Sequence, residues 1–334
     1  MKTTLAGCRR ILVAIKDPRM RAKPAVLKAV QLARALDAEL ELYHAIDTSL
    51  FVDQIALAGE DPNQFQRNIC EQYRKELESI AERLRREALR VSVCVEWDYP
   101  AFEAVVRRAS ETKAGLIIVE CHVHRHRIPW LLEFTDWELL RLAPMPVLLV
   151  KSSRAYRRPV VLAAVDPSHA HGKTARLDSD ILRTAATITD ALRGSLHAVH
   201  AWSVPALSGT IGFGPGVSAA PAIDQEFIQH RSDDARRSFE QMLAPLNVPA
   251  SRRYLMTSRP SEAITAAART SRAAMVVMGA VSRSGLERIF VGNTAERVLD
   301  TLTCDVLVVK PSRFARRIQR AHRGARLTAV PSAF

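Results

Sequence analysis

A chain of 334 residues is too long for one small domain and fits two of average size; 48% hydrophobic and 25% charged residues are what a packed, soluble globular protein carries. No apolar run approaches the roughly 18 residues a membrane-spanning helix needs, and Leu5-Ala6-Gly7-Cys8, superficially a lipoprotein cleavage box, follows only Met1 to Thr4 with no export-type hydrophobic stretch, so the expected location is cytoplasmic. The net charge of +13 favours anionic partners, while five cysteines without a C-x-x-C pair agree with a reducing compartment and no disulfides.

The first apolar run, Ile11 to Ile15, is closed by Asp17-Pro18 and reads as a buried strand ending in a turn. Val26, Val30, Ala33 and Leu36 then recur at helical spacing, and Leu40 to Ala45 reads as a second strand. A loop from Asp47 to about Pro62 is expected before a long helix through Tyr73, Leu77, Ile80 and Leu84. Strand three is Val91 to Trp97, a helix covers Phe102 to Ala109, and strand four is Leu116 to Val119. A helix over about Thr135 to Leu142 and a strand from Val147 to Lys151 complete the series. Alternating strands and helices with buried apolar strands predict a parallel sheet covered by helices on both faces.

The pattern then repeats. Val160 to Val165 with Asp166-Pro167 restates the opening strand and its stop. A helix over Ile181 to Leu192, a strand over Leu196 to Ala201 and a long helix from about Asp224 to Leu243 follow, then a strand over Ser251 to Thr257, a helix over Ser261 to Thr270 and a strand over Ala274 to Met278. Val147-Leu148-Leu149-Val150-Lys151 closes the first half and Val306-Leu307-Val308-Val309-Lys310 the second, which marks an internal duplication. The expected domains are 1–155 and 156–312, followed by a tail, 313–334. After Pro311 the chain has six arginines and no acid, so six of the thirteen net charges lie there; Arg313, Arg316, Arg317, Arg320, Arg323 and Arg326 make a basic stripe if the tail is helical. A solvated terminus and an anion-binding surface are the two readings of it.

The stretch Met275 to Asp300 carries the clearest chemistry. An apolar strand stops at Gly279, a loop contains Gly285 and Gly292, and Asn293-Thr294 opens an amphipathic segment with Ala295, Val298 and Leu299. Glycines permit positive φ and close approach of backbone N–H groups, and a helix start offers unpaired donors and a positive dipole end; both suit phosphate.

Two tandem α/β units, each opening on a strand that stops at Asp-Pro and closing on a Val-Leu-Leu/Val-Val-Lys strand, resemble a tandem universal stress protein. Gly285-Leu286 together with Phe290-Val291-Gly292-Asn293-Thr294-Ala295-Glu296 resembles the second domain of its E type; His122-x-His124 with Phe134-Thr135-Asp136-Trp137 and Leu139-Leu140-Arg141 resembles the first. The resemblance implies two Rossmann-like domains of the adenine-nucleotide alpha hydrolase-like kind, each a five-stranded, mostly parallel sheet with helices on both faces. It also implies a stress-response regulator or sensor whose usual domain pairing forms within one chain. Nucleotide-binding members carry glycine, two residues, glycine, nine residues, then glycine followed by Ser or Thr. Gly279 and Gly292 match the outer positions, whereas Ser282 and Asn293 replace the second glycine and the final hydroxyl residue, with Thr294 one place later. By the resemblance, these residues and Gly285 hold the phosphates of ATP or ADP with Mg2+, Arg283 adds charge, Asp166 lies near the ribose or base and the backbone at Ala201 meets adenine. A serine held at positive φ costs on the order of 1 kcal/mol, so this loop is expected to follow a different path or to grip more weakly.

The first domain departs: Glu120 stands where the glycine should follow strand four, no glycine follows through Trp130, and no nucleotide is expected there. Cys121, His122, His124 and His126 bring metal-ligand atoms together within six residues, but without a second ligand pair the expectation is a polar loop and no metal. Gly172-Lys173-Thr174 lacks the earlier glycine of a P-loop, and no helix starts directly after the glycines from Gly209 to Gly216. The apolar segment Phe51 to Gly59 either lines a cavity for a lipid-like ligand or packs on the sheet. No nucleophile has an identifiable base, so slow ATP hydrolysis is the most catalysis expected. An interaction scaffold without nucleotide is the alternative function.

Overall fold

The computed structural model describes residues 5, 7–21, 23–121, 133–167, 175–202, 225–279, 293–311 and 321–328. The first half runs β1 (Arg10–Ala14), α1 (Pro24–Leu36), β2 (Glu39–Ile46), β3 (Leu50–Phe51), α2 (Val52–Leu57), α3 (Pro62–Arg86), β4 (Val91–Trp97), α4 (Ala101–Glu111), β5 (Leu116–Glu120), α5 (Glu133–Leu142) and β6 (Val147–Val150). The second runs β7 (Val160–Val165), α6 (Ala175–Ala191), β8 (Ser195–Trp202), α7 (Gln225–Leu243), β9 (Arg253–Thr257), α8 (Pro260–Ser271), β10 (Met275–Gly279), α9 (Asn293–Thr301) and β11 (Asp305–Val309), with β12 (Leu327–Thr328) near the chain end.

Local chemistry sets the helix ends. Pro24 starts α1, where a missing N–H costs nothing, and Asp37 in the left-handed conformation stops it. The Asp61 carboxylate caps α3 by accepting from the N–H groups of Asn63 and Gln64, followed by Pro62 in the first turn. The stretch expected as a loop before α3 is not all loop: it holds β3 and α2. Their shortness, two and six residues, leaves no periodicity to read.

Each half contributes five parallel strands, and all ten form one sheet in the order β4-β2-β1-β5-β6-β11-β10-β7-β8-β9. Among the described residues the one antiparallel ladder is in the middle, where Leu149, Leu148 and Val147 of β6 face Val306, Leu307 and Val308 of β11. Side-chain alternation divides the core between the two faces. Ile11, Val13, Leu148, Val161 and Leu307 pack with α1, α3, α6 and α7, while Leu12, Ala14, Leu149, Leu162 and Val308 pack with α4, α5, α8 and α9. Both apolar layers run unbroken across the two halves, so the central ladder lies inside a continuous core.

The tail also departs from its sequence reading. Residues 321–328 are not helical; they return to the first half, where Leu327 and Thr328 pair with Leu50 and Phe51. The Arg323 N–H donates to Asp98 at 3.0 Å and its guanidinium to Glu103 at 2.7 Å, and the Arg323 and Arg326 guanidiniums lie 5.7 and 4.6 Å from the centre of the Tyr99 ring. Two of the six tail arginines therefore contact the chain's own acids and aromatic ring; residues 312–320, with the other four, lie outside the described residues.

Candidate functional site

Chain order places a crevice in each half. From β1 the chain goes to β2 on one side and later returns to β5 on the other, and β7, β8 and β10 repeat this. Ligands of open α/β sheets occupy the carboxyl ends of the strands at such a switch point. In the second half these ends are Asp166, directly after β7, and Gly279, the last residue of β10; Ala201 lies near the end of the neighbouring β8, and α9 begins at Asn293. The fold thus brings Asp166 and Gly279 to one end of adjacent strands. Ser282, Arg283, Gly285 and Gly292 lie outside the described residues, and for Asn293 and Thr294 only the backbone, the first turn of α9, is described.

Gly279 is required for a different reason than the one its sequence suggested. Its φ is not in the left-handed region. A Cβ there would come within 2.8 Å of Leu177 Cδ2 and 3.1 Å of Ile181 Cδ1, so α6 packs where a side chain would start. The Asp166 N–H donates to Asp178 at 3.0 Å, and Asp178 is fully buried on α6, which ties the end of β7 to the same helix.

The two Asp-Pro stops prove to be one residue out of step. Ile11 pairs with Leu40 and Val161 with Leu196. His44 and His200, each four residues further along β2 and β8, bring Nδ1 to the carbonyl oxygens of Ile15 at 2.8 Å and Val165 at 3.3 Å. Ile15 therefore corresponds to Val165, and the station of Asp166 is held in the first half by Lys16, with Asp17 one place beyond. The two buried histidines were not singled out from sequence; their identical place in the two copies was the available signal. Burial lowers the His44 pKa, so its ring is neutral under ordinary conditions.

The first-half crevice is a small open cavity lined by Lys16, Asp17, Met20, Lys23 and Glu120 together with the end of β1 and the start of α1. Lys16 forms an ion pair with Asp136 at 2.8 Å, so a lysine at the strand end meets a carboxylate in the first turn of α5. Burial lowers the Lys23 pKa, and its ammonium donates to the Met20 carbonyl. Charges line this cavity, and none of Phe51 to Gly59 does; Leu57 is 88% exposed and Leu50 packs with Ile46 and Trp97. Of the two readings of Phe51 to Gly59, the contacts show packing: Ile55 of α2 packs against Ile46, Leu50 and Trp97 at the β2–β4 side of the sheet.

Of the metal-ligand candidates, His122, His124 and His126 lie outside the described residues, as do the segments holding Gly172-Lys173-Thr174 and Gly209 to Gly216. Burial pushes the Cys121 thiol up to about 11, and the neighbouring Asp136 carboxylate adds to this. Among the described residues no group of three or more His, Cys, Asp or Glu side chains could hold a metal ion. None of the described helices is long and apolar enough to cross a membrane.

The fold defines a tandem α/β protein with a switch-point crevice in each half. The profile of the universal stress protein family matches residues 7–151 and 160–310, and the chain belongs to that family, with two such domains in tandem. Its full-length likeness is to the E type: it is 23% identical over 316 residues to universal stress protein E of Escherichia coli (strain K12), covering 94% of this chain and 98% of the relative. The corresponding protein of Photorhabdus laumondii is 24% identical over 322 residues, covering 95% and 99%. Among solved structures, a functionally unknown protein from Pseudomonas aeruginosa PAO1 superposes with a TM-score of 0.70 at 25% identity, over 92% of this chain and 94% of that one. A universal stress protein from Archaeoglobus fulgidus does so at 0.60 and 14% identity, over 92% and 98%.

Proposed function

We propose that this universal stress protein acts as a stress-response regulator or sensor that binds an adenine nucleotide, ATP or ADP with its Mg2+, in the second domain alone. The observation that carries the reading is the contrast at one station. Gly279 ends β10 with α6 packed against its Cα, leaving backbone to face the crevice beside the start of α9, whereas Glu120 ends β5. An N-terminal helix turn and exposed backbone amides suit phosphate, while a carboxylate at that point repels it. Asp166 would take a ribose hydroxyl or base edge, Ala201 the adenine plane, and Ser282, Arg283, Gly285, Gly292, Asn293 and Thr294 the phosphates. The first domain is the non-binding partner, with Glu120 lining its crevice and Lys16 already paired with Asp136, and the β6–β11 ladder is the family's domain pairing made within one chain. Domain limits of 1–155 and 156–312 and a cytoplasmic location belong to the same reading.

Isothermal titration of ATP tests it. The wild-type chain is expected to bind one equivalent and Gly292→Arg none. Absence of binding by the wild type would leave the scaffold reading, and full affinity in the variant would place the site elsewhere.

A further inference from the structure

The seam between the halves is nearly two-fold symmetric in backbone and one-sided in charge. Leu148 faces Leu307 at its centre, and the ladders within each half make Val147 the counterpart of Val306. One residue earlier, Pro146 is then the counterpart of Asp305. The left-handed residues that end the first helix of each half, Asp37 and Arg193, make Lys28 the counterpart of Thr184. The halves therefore differ in charge at two places on an otherwise Val-Leu seam, and those two places touch.

Asp305 is 0% and Lys28 2% exposed, with Nζ and Oδ2 2.8 Å apart. The Tyr156 hydroxyl donates to the same oxygen at 2.6 Å, and the N–H groups of Lys151 and Ser152 donate to Oδ1 at 2.9 and 3.0 Å. The Lys28 ammonium also lies 3.7 Å from the centre of the Tyr156 ring. The acceptor comes from the second half, and all of these donors come from the first half or the segment leaving it.

The two like-with-like pairings cannot reproduce this. Two first halves would bury two Lys28 ammoniums against Pro146, with no carboxylate at the seam. Two second halves would bury two Asp305 carboxylates opposite Thr184, and the counterpart of Ser152 there is Pro311, which has no N–H to give. A buried charge without its partner is strongly unfavourable.

We propose that Lys28, Tyr156 and Asp305 form a charge lock that admits a first half only against a second half, so that the seam fits this chain's own other half and rejects a second copy of the same half. The lock matters because the chain carries two such seams. Were like halves compatible, chains would join first to first and second to second into open-ended polymers; unlike pairing within one chain uses up both faces. A short connection favours that closure by an effective concentration in the mM range, and the lock adds the discrimination that a tether and a Val-Leu surface lack.

Disulfide trapping in the full chain tests this. Leu148 would face its own copy only in a first–first pair and Leu307 only in a second–second pair. With the native charges, Leu148→Cys or Leu307→Cys alone is expected to give no more disulfide-linked dimer than the parent with its five cysteines. Adding Lys28→Thr and Asp305→Pro to Leu148→Cys makes the halves alike and is expected to raise the dimer by about tenfold or more. Because proline removes the Asp305 N–H bond to Ala274, Asp305→Asn with Leu307→Cys is the gentler variant, expected to rise in the same way with an unchanged circular dichroism spectrum. Equal dimer with and without the native charges, or no rise in the folded variants, overturns the proposal.

Discussion

The two crevices of this protein sit at the same switch point of the same fold and hold opposite chemistry. In the second half, a glycine ends the fourth of its five strands, an aspartate follows the first, and a helix begins across the gap. In the first half, Glu120 replaces the glycine, Lys16 replaces the aspartate, and Asp136 in the first turn of α5 meets Lys16 at 2.8 Å. A carboxylate in a helix's first turn is itself stabilised by the helix dipole. The first half thus supplies from its own side chains both an anion for the helix and a cation for the anion. The difference teaches that two copies of one fold can place opposite charges at the same strand ends, because the sheet needs only the apolar residues beneath them.

Breaking the comparison at its hinge should have the largest effect. Asp305→Ala leaves Lys28 buried without its carboxylate and is expected to cost about 3–5 kcal/mol in denaturant unfolding, with the Lys28→Met/Asp305→Leu double variant recovering much of it. Gly279→Glu, which gives the second half the first half's residue, forces a Cβ to within 2.8 Å of Leu177. It should destabilise by about 1–3 kcal/mol and lower ATP affinity at least tenfold by titration. Unchanged affinity would dissociate Gly279 from the site.

Asp136→Asn should cost about 1.5 kcal/mol by removing the charge partner of Lys16, with no change in ATP affinity if the first crevice takes no nucleotide. Arg323→Ala is expected to lose less than about 1 kcal/mol, because its pair with Glu103 is partly solvated, and that loss should shrink in high salt. A further effect appears only in alkali. Burial raises the Cys8, Cys121 and Cys304 thiols from the usual 9.0 to about 11 and Cys94 to about 12. The unfolded chain therefore loses these protons first; their contribution is complete below about pH 9 and is lost as pH rises through 11. A melting temperature that stayed level from pH 9 to 11 would contradict the buried placement of these thiols.

Much of the site's frame was legible in the sequence because it depends on local signals. Gly279 marks a strand end because branched apolar residues stop there, and Asn293 starts a helix because the period of 3.6 begins with it. The true reason for Gly279, the side chains of α6, was not legible, since Leu177 and Ile181 lie a hundred residues away in the chain. The Asp-Pro repeat misled for a related reason. Sequence aligns Asp17 with Asp166, but hydrogen-bond register counts residues along the ladder, and by that count Lys16 takes the place.

By itself the sequence determined the β/α order, the duplication and the glycine-bearing second copy, because periodicity and turn chemistry act over a few residues. Only the tertiary structure decided which strand closes against which, that residues 321–328 return to the first half, and that Lys28 finds Asp305 inside the seam. Those contacts join residues distant in the chain, and a Lys and an Asp read one at a time look like surface charges until the fold buries them together.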